Sequence, residues 1–267
     1  MPLSYRELVQ GLQRLGVPAG KPVIAHASLK AFGEVRGGAE TLLGALLSVF
    51  PHLMMPTHTY QTMLIPEEGP PNNAMQYGSG RDHNAMAVFF TPDLPADPLM
   101  GILPEVLRKH PQAKRSGHPV LSFTGVGVEE ALAAQTLAEP LAPIRHLNEQ
   151  EGWVLLLGVD HTVNTSIHYA EKLAGRRQFV RWALTPAGVV ECPGFPGCSL
   201  GFEKAAPLLQ AVTRETFIGE GRIRALPLAE MTGLLVGALQ DDPLAFLCDD
   251  PACERCTATR QAVTGNN

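Results

Sequence analysis

An α/β fold is predicted by two features of the chain. Helical and strand patterns alternate through the first sixty residues, and Trp153-Val154-Leu155-Leu156-Leu157-Gly158-Val159 is continuously apolar over a strand's length. Such alternation argues for helices packed on a sheet. A strand apolar on both faces belongs at the centre of that sheet, where both sides are covered. The chain has 267 residues, 45% hydrophobic and 18% charged, which is ample apolar material for a core. No internal repeat or domain boundary stands out. We expect a single domain over 1–267, with a cysteine-containing C-terminal segment at about 241–258.

The elements follow in order. Ser4 and Glu7 fit a Ser-x-x-Glu capping box, and Leu8, Val9, Leu12 and Leu15 continue at helical spacing to Gly16. Pro22 to Ala27 reads as a strand. The stretch from Ser28 to Glu40 opens a helix with Leu42, Leu43, Leu46, Leu47 and Phe50 apolar, and Leu53 to Thr57 is a second strand. Residues 61–98 are rich in Pro and Gly and keep no period of 2 or 3.6. They read as a long loop, either a lid facing substrate or a disordered segment. Leu99 to His110 should be a helix, Lys114 to Pro119 a polar turn, Val120 to Phe123 a strand, and about Val128 to Leu137 a helix. After the central strand, Asn164 or Thr165 can cap a helix whose apolar face holds Ile167, Ala170, Leu173 and Ala174. Phe179 to Leu184 and Gly188 to Glu191 form a hairpin around Thr185-Pro186-Ala187-Gly188. Gly201 to Thr213 reads as a helix, Arg222 to Leu226 as a strand, and Pro227 to Leu239 as a helix with Pro in its first turn. The tail after Ala258 is polar and expected to fray.

Charge and hydropathy exclude some classes. Twenty-one Lys and Arg against 26 Asp and Glu give a net charge of −5, with no basic block. A nucleic-acid partner is not expected. No apolar run approaches the ~18 residues that a membrane helix needs, and the polar N-terminus does not read as a signal peptide. We expect a cytoplasmic protein, monomer or homodimer, whose five cysteines are free, metal-bound or redox-active rather than paired in disulfides.

Four constellations are candidates for chemistry. His168 and Glu171 lie three apart, so on a helix they share one side, just past the end of a buried strand. Ligands of α/β proteins bind at such carboxyl ends, although His–Glu pairs are also common on helix surfaces. Residues 26–40 end a strand, pass Gly33, Gly37 and Gly38, and open a helix. Backbone N–H groups there can bind phosphate, or the glycines can simply make a turn. Arg115-Ser116 and His118-Pro119 can meet an anion or shape a turn. Finally, Cys248-x4-Cys253-x2-Cys256 resembles a zinc knuckle, with Cys198 as the expected fourth thiolate and Cys192 as the alternative; incidental thiols on a tail are the other reading.

Several of these pieces resemble one family when taken in register. They are His26-Ala27-Ser28-Leu29 with Phe32-Gly33, Val35 and Gly37-Gly38-Ala39; Met55-Pro56-Thr57-His58-Thr59; Arg115-Ser116-x-His118-Pro119; Leu155-Leu156-Leu157-Gly158-Val159; and Asn164-Thr165-x-x-His168-x-x-Glu171. Over about residues 1–230 their order and spacing are similar to the aminoglycoside 3-N-acetyltransferase family. The resemblance implies a three-layer α/β/α fold with a central mixed sheet, and an acetyl-CoA-dependent N-acetyltransferase acting on a small-molecule amine such as that of an aminoglycoside.

Carried over by residue, it makes His168 the general base, a role that suits an imidazole with its ordinary pKa near ~6.5. Glu171 orients the ring, and Thr165 or nearby N–H groups meet the oxyanion. Ser28, Leu29, Phe32, Gly33, Val35, Gly37 and Gly38 would hold the cofactor, with Arg115 and Ser116 on its pantetheine arm or phosphates. A structural zinc on Cys198, Cys248, Cys253 and Cys256 would stabilise the fold and leave the chemistry to His168. The competing classes are a zinc hydrolase, suggested by nine His that include His26, His58, His118 and His168, and a non-catalytic coenzyme A-binding protein.

Overall fold

The computed structural model describes residues 1–265. Its centre is a mixed seven-stranded sheet. In chain order the strands are β1 (Val23–Ala27), β2 (Leu53–Pro56), β3 (Met63–Leu64), β4 (Lys114–Arg115), β5 (Phe123–Val126), β6 (Trp153–Leu157), β7 (Phe179–Thr185), β8 (Gly188–Phe195), β9 (Arg214–Ile218) and β10 (Gly221–Pro227). The large sheet has the order β4-β5-β2-β1-β6-β10-β9. Its core, β2-β1-β6, is parallel, and antiparallel strands flank it on both sides. β3, β7 and β8 form a second, antiparallel sheet.

The period of 2 in these strands sorts the core into two faces. Val23 and Ala25 of β1, with Trp153, Leu155 and Leu157 of β6, face one hydrophobic cluster; Ile24, Val154 and Leu156 face the other. The first cluster is closed by α1 (Tyr5–Gln13), α2 (Gly38–Val49) and α4 (Ile102–Arg108). The second is closed by α5 (Glu129–Ala133), α6 (Ala142–Glu149), α7 (Ser166–Leu173) and α9 (Leu228–Asp241). The result is the expected three-layer α/β/α arrangement. The capping box on α1 forms as read, with Ser4 and Glu7 bonding reciprocally. No helix among the described residues is long and apolar enough to cross a membrane.

Some elements differ from the sequence reading. The strand expected at 120–123 begins at Phe123, because Val120 and Leu121 turn into the core of the small sheet. Helix α6 and strand β9 are additional to the sequence reading. Pro140 and Pro143 mask α6, yet Pro143 falls in its first turn, where no backbone donor is required. The expected helix at 201–213 breaks into 3-10 turns around one short helix, α8 (Ala206–Leu209).

The 61–98 loop is ordered. It contributes β3 and the short α3 (Arg81–Ala85), and Asn side chains stitch it down. Asn73 exchanges hydrogen bonds of 2.8 and 3.0 Å with the Val180 backbone, and Asn84 does the same with Ile65 at 2.8 Å. The tail expected to fray from 259 is instead α10 (Glu254–Thr264). The rest of that expectation falls on Asn266 and Asn267, outside the described residues.

Candidate active site

The β6–α7 connection is built by short-range polar contacts at the carboxyl edge of the sheet. Asp160 caps the turn at 161–163 by accepting the Thr162 N–H at 2.9 Å. Asn164 Oδ1 accepts the Ser166 N–H at 3.2 Å, so Asn164 serves the entry of α7 while Thr165 makes no cap hydrogen bond. Glu203 accepts the His161 N–H at 2.7 Å and pairs with Arg224, which also donates to the Val159 carbonyl.

On α7, one turn brings His168 Nδ1 to 2.6 Å from Glu171 Oε2. Both residues are buried, at 7% and 5% exposure. Burial alone would raise the Glu171 carboxyl, but the His168 hydrogen bond and the charges of His168 and Arg176 outweigh it and hold the group below its ordinary value. An ionised carboxylate accepts only, so Nδ1 carries a proton; when the ring is neutral, the lone pair is then on Nε2. The pair is therefore a base with its orienting acid.

Arg176, absent from the sequence reading, completes the group. Helix α7 ends in a Schellman turn: Gly175 at φ 79° follows the C-cap Ala174, and the Arg176 N–H reaches back to the Glu171 carbonyl at 2.9 Å. That turn returns the guanidinium to Glu171 Oε1 at 2.7 Å, and its other arm donates to the carbonyls of Pro243 and Ala245. The Gly-Arg after the helix was the available signal. Phe202 lies edge-on to the His168 ring, with centroids 4.7 Å apart.

Four more histidines gather at this edge. Burial pushes His26 and His58 down to about 3 and His118 and His161 to about 4, helped at His58 by its imidazole neighbours His26, His118 and His168. His118 Nδ1 accepts the N–H groups of Val120 and Leu121 at 3.1 and 3.0 Å. Its ring proton therefore sits on Nε2, which is buried without a partner among the described residues, as are Nε2 of His26 and of His58. These rings do not make a metal centre: among the described residues, the one group of three or more metal-capable side chains in mutual reach is a cysteine cluster. The zinc-hydrolase alternative lacks support.

The expected cofactor residues divide. Ser28 to Phe32 form a 3-10 turn against the end of β6, tied by the Ser28 N–H to the Leu157 carbonyl at 2.9 Å. Val35 bridges to Leu3. Gly37 and Gly38, at φ 80° and 61°, lead into the twelve-residue α2. A Cβ on Gly37 would strike Thr41, whereas above Gly38 the space is open. Gly33, also at positive φ, faces Glu220.

Arg115 and Ser116 are committed elsewhere. The Arg115 guanidinium donates to Ser122 Oγ and to the carbonyls of Thr57, Pro92 and Leu94, clamping the long loop to the end of β2. Ser116 Oγ accepts the Phe123 N–H at 2.9 Å. Both side chains hydrogen-bond within the fold.

The metal candidates converge from separate segments. The ligand atoms of Cys198, Cys248, Cys253 and Cys256 all lie within 4.8 Å of one another. Cys192, the alternative, sits apart in the core of the small sheet.

A family model described as aminoglycoside 3-N-acetyltransferase matches residues 24–240. Aminoglycoside N(3)-acetyltransferase III of Salmonella sp is 33% identical over 187 residues, covering 64% of this chain and 61% of that enzyme. The match thus spans about three fifths of that relative's length. The crystal structure of aminoglycoside acetyltransferase AAC(3)-IVa, an apoenzyme, aligns over 98% of both chains at 27% identity and a TM-score of 0.80. A mutant of that enzyme in complex with a gentamicin aligns over 98% of both chains at 26% identity and a TM-score of 0.75. A binary complex of AAC-IIIb with CoASH shares the fold at 23% identity and a TM-score of 0.72, over 90% of this chain and 97% of that one. With the dyad on the helix after the central strand and the match running through both, the chain belongs to the aminoglycoside 3-N-acetyltransferase family.

Proposed function

We propose that the protein transfers an acetyl group from acetyl-CoA to an amine of an aminoglycoside-like small molecule. The observation that carries this reading is the buried 2.6 Å bond from His168 Nδ1 to Glu171 Oε2, which leaves Nε2 free at the carboxyl end of β6. When bound, acetyl-CoA supplies the acetyl group as a thioester. His168 Nε2 takes the proton as the amine nitrogen bonds to the acetyl carbon, and returns it to the sulfur as the C–S bond breaks. Glu171 balances the charge on the ring and keeps Nδ1 protonated. Thr165, half-buried at the start of α7, donates to the developing oxyanion.

The turn from Ser28 to Gly38 suits the cofactor's phosphates. It lies at the carboxyl edge, opens a long helix and leaves the backbone above Gly38 uncovered. A cytoplasmic location belongs to the same reading, supported by five cysteines free of disulfides. Relatives named for aminoglycosides, and the gentamicin complex, favour a polyamine sugar as acceptor.

The test is turnover with acetyl-CoA and gentamicin, apramycin or sisomicin, against simple monoamines, read as released thiol and as the mass of the product. Thiol release coupled to a singly acetylated aminoglycoside is expected. Binding of acetyl-CoA without transfer to any amine would overturn the reading.

A further inference from the structure

We propose that Cys198, Cys248, Cys253 and Cys256 bind one zinc ion, and that this ion clasps the C-terminal helix α10 against the wall behind His168 and Glu171. Tetrahedral zinc with four thiolates sets sulfur atoms about 3.8 Å apart, from Zn–S bonds of ~2.3 Å. The cluster is close to that size, with every pair within 4.8 Å and Cys248 Sγ 3.4 Å from Cys256 Sγ. Cys198, Cys248 and Cys256 are buried, at 4%, 5% and 0% exposure. Loading exchanges up to four thiol protons for one divalent ion and leaves the site with two negative charges.

The surroundings suit that charge. Arg255 donates to the Gly197 carbonyl at 2.9 Å, Lys204 to that of Leu247 at 2.9 Å and Arg260 to that of Cys248 at 2.7 Å, so three cations are anchored on a cysteine of the cluster or a residue next to one, Lys204 being also paired with Asp249. The Leu200 N–H points at Cys198 Sγ from 3.4 Å. The N-terminus of α10, positive by its dipole, begins at Cys253.

Besides the polar contacts of Glu254, Arg255 and Arg260, helix α10 has only a small apolar dock. Its buried residues are Cys256, Ala258 and Thr259 alone. An eleven-residue helix with so small an apolar face is a weak dock unless something fastens it. Four thiolates closed on one ion would supply that fastening.

The clasp also reaches the dyad. Pro243 and Ala245, whose carbonyls hold Arg176 against Glu171, lead into Cys248. On the other side Gly197 abuts Glu171, and Phe202, tied to Ser199, packs on His168. An ion between Cys198 and Cys248 joins these two segments. That consequence for turnover rests on the acetyltransferase reading; the metal site itself does not.

Elemental analysis of protein purified without a metal-affinity tag tests the proposal. Close to one equivalent of zinc is expected, unchanged in Cys192→Ser and nearly gone in the double variant Cys253→Ser/Cys256→Ser. If that variant does not fold, chelator-extracted wild type reloaded with cobalt should show the strong visible and near-ultraviolet bands of four-thiolate coordination. Extraction should open residues 249–264 to proteolysis and lower kcat several-fold with little change in the KM for acetyl-CoA, both reversed by zinc. Metal far below one equivalent, iron in its place, a Cys248–Cys256 disulfide in alkylated protein, or a helix that stays protected after extraction would overturn it. If zinc-loaded protein acetylates nothing, the enzymatic reading fails while metal content and proteolysis still decide the clasp.

Discussion

His168 and Glu171 come from one turn of one helix, whereas the clustered thiols come from three segments at 198, 248 and 253–256. The contrast separates two ways of building a site. Helix geometry alone puts residues three apart on one side, so the dyad exists once α7 forms. The thiols meet only after β8, α9 and α10 have docked. The dyad should therefore lose chemistry without losing fold, and the clasp should lose fold before chemistry is touched directly.

The largest effect expected is on turnover. His168→Ala should lower kcat by roughly 10²–10⁴, the usual share of a general base, with α10 still protected from protease and acetyl-CoA binding little changed. Near-full turnover at saturating acceptor would put the base elsewhere and remove one side of the contrast.

Next is Arg176→Met. It strands the Glu171 carboxylate, which is 5% exposed. Breaking a buried pair costs roughly 3–5 kcal/mol, and adding Glu171→Gln should recover much of the stability but not the activity. Urea denaturation of wild type and the two variants measures this. A single variant as stable as wild type would show that solvent reaches Glu171.

Acidification should act on the carboxyl edge before it acts on ordinary surface groups. His26, His58, His118 and His161 have folded values of about 3 to 4, below the ordinary 6.5. As pH falls below 6.5 the unfolded chain takes up protons that the folded chain refuses. The stability tied to these rings is whole above pH 6.5 and drains between 6.5 and about 3. The depressed Glu171 carboxyl adds a further loss below its ordinary 4.5. Urea midpoints that stay flat from about pH 7 to about pH 5 would contradict the burial of these rings.

Smaller effects divide the expected cofactor residues. Gly38→Ala should strain the backbone by about 1–2 kcal/mol at its positive φ and raise the KM for acetyl-CoA. Ser116→Ala should cost about 1 kcal/mol through its bond to Phe123 and leave that KM alone. A large KM increase in Ser116→Ala would return Ser116 to the cofactor site.

Local pattern determined much of this protein. The apolar run at 153–159, the alternation before residue 60 and the capping box at Ser4 are short-range signals, and the sheet core, α1, α7 and the His168–Glu171 spacing follow from them. Where a residue's partner lies far along the chain, only the tertiary structure decided. Arg115 could meet an anion or shape a turn by sequence, and only packing showed that it donates to the carbonyls of Thr57, Pro92 and Leu94. Cys198 and Cys192 were equivalent by type; the β7–β8 register turned Cys192 into the small-sheet core and left Cys198 beyond β8, free to meet Cys248. Helix α10 read as a frayed tail because its apolar face is too small to be legible, and its partners include Gly197 far back in the chain as well as nearby Cys248. Periodicity records which way a side chain faces along its own element, but the identity of what it faces is set by packing, and that is where Arg115, Cys198 and α10 acquired their roles.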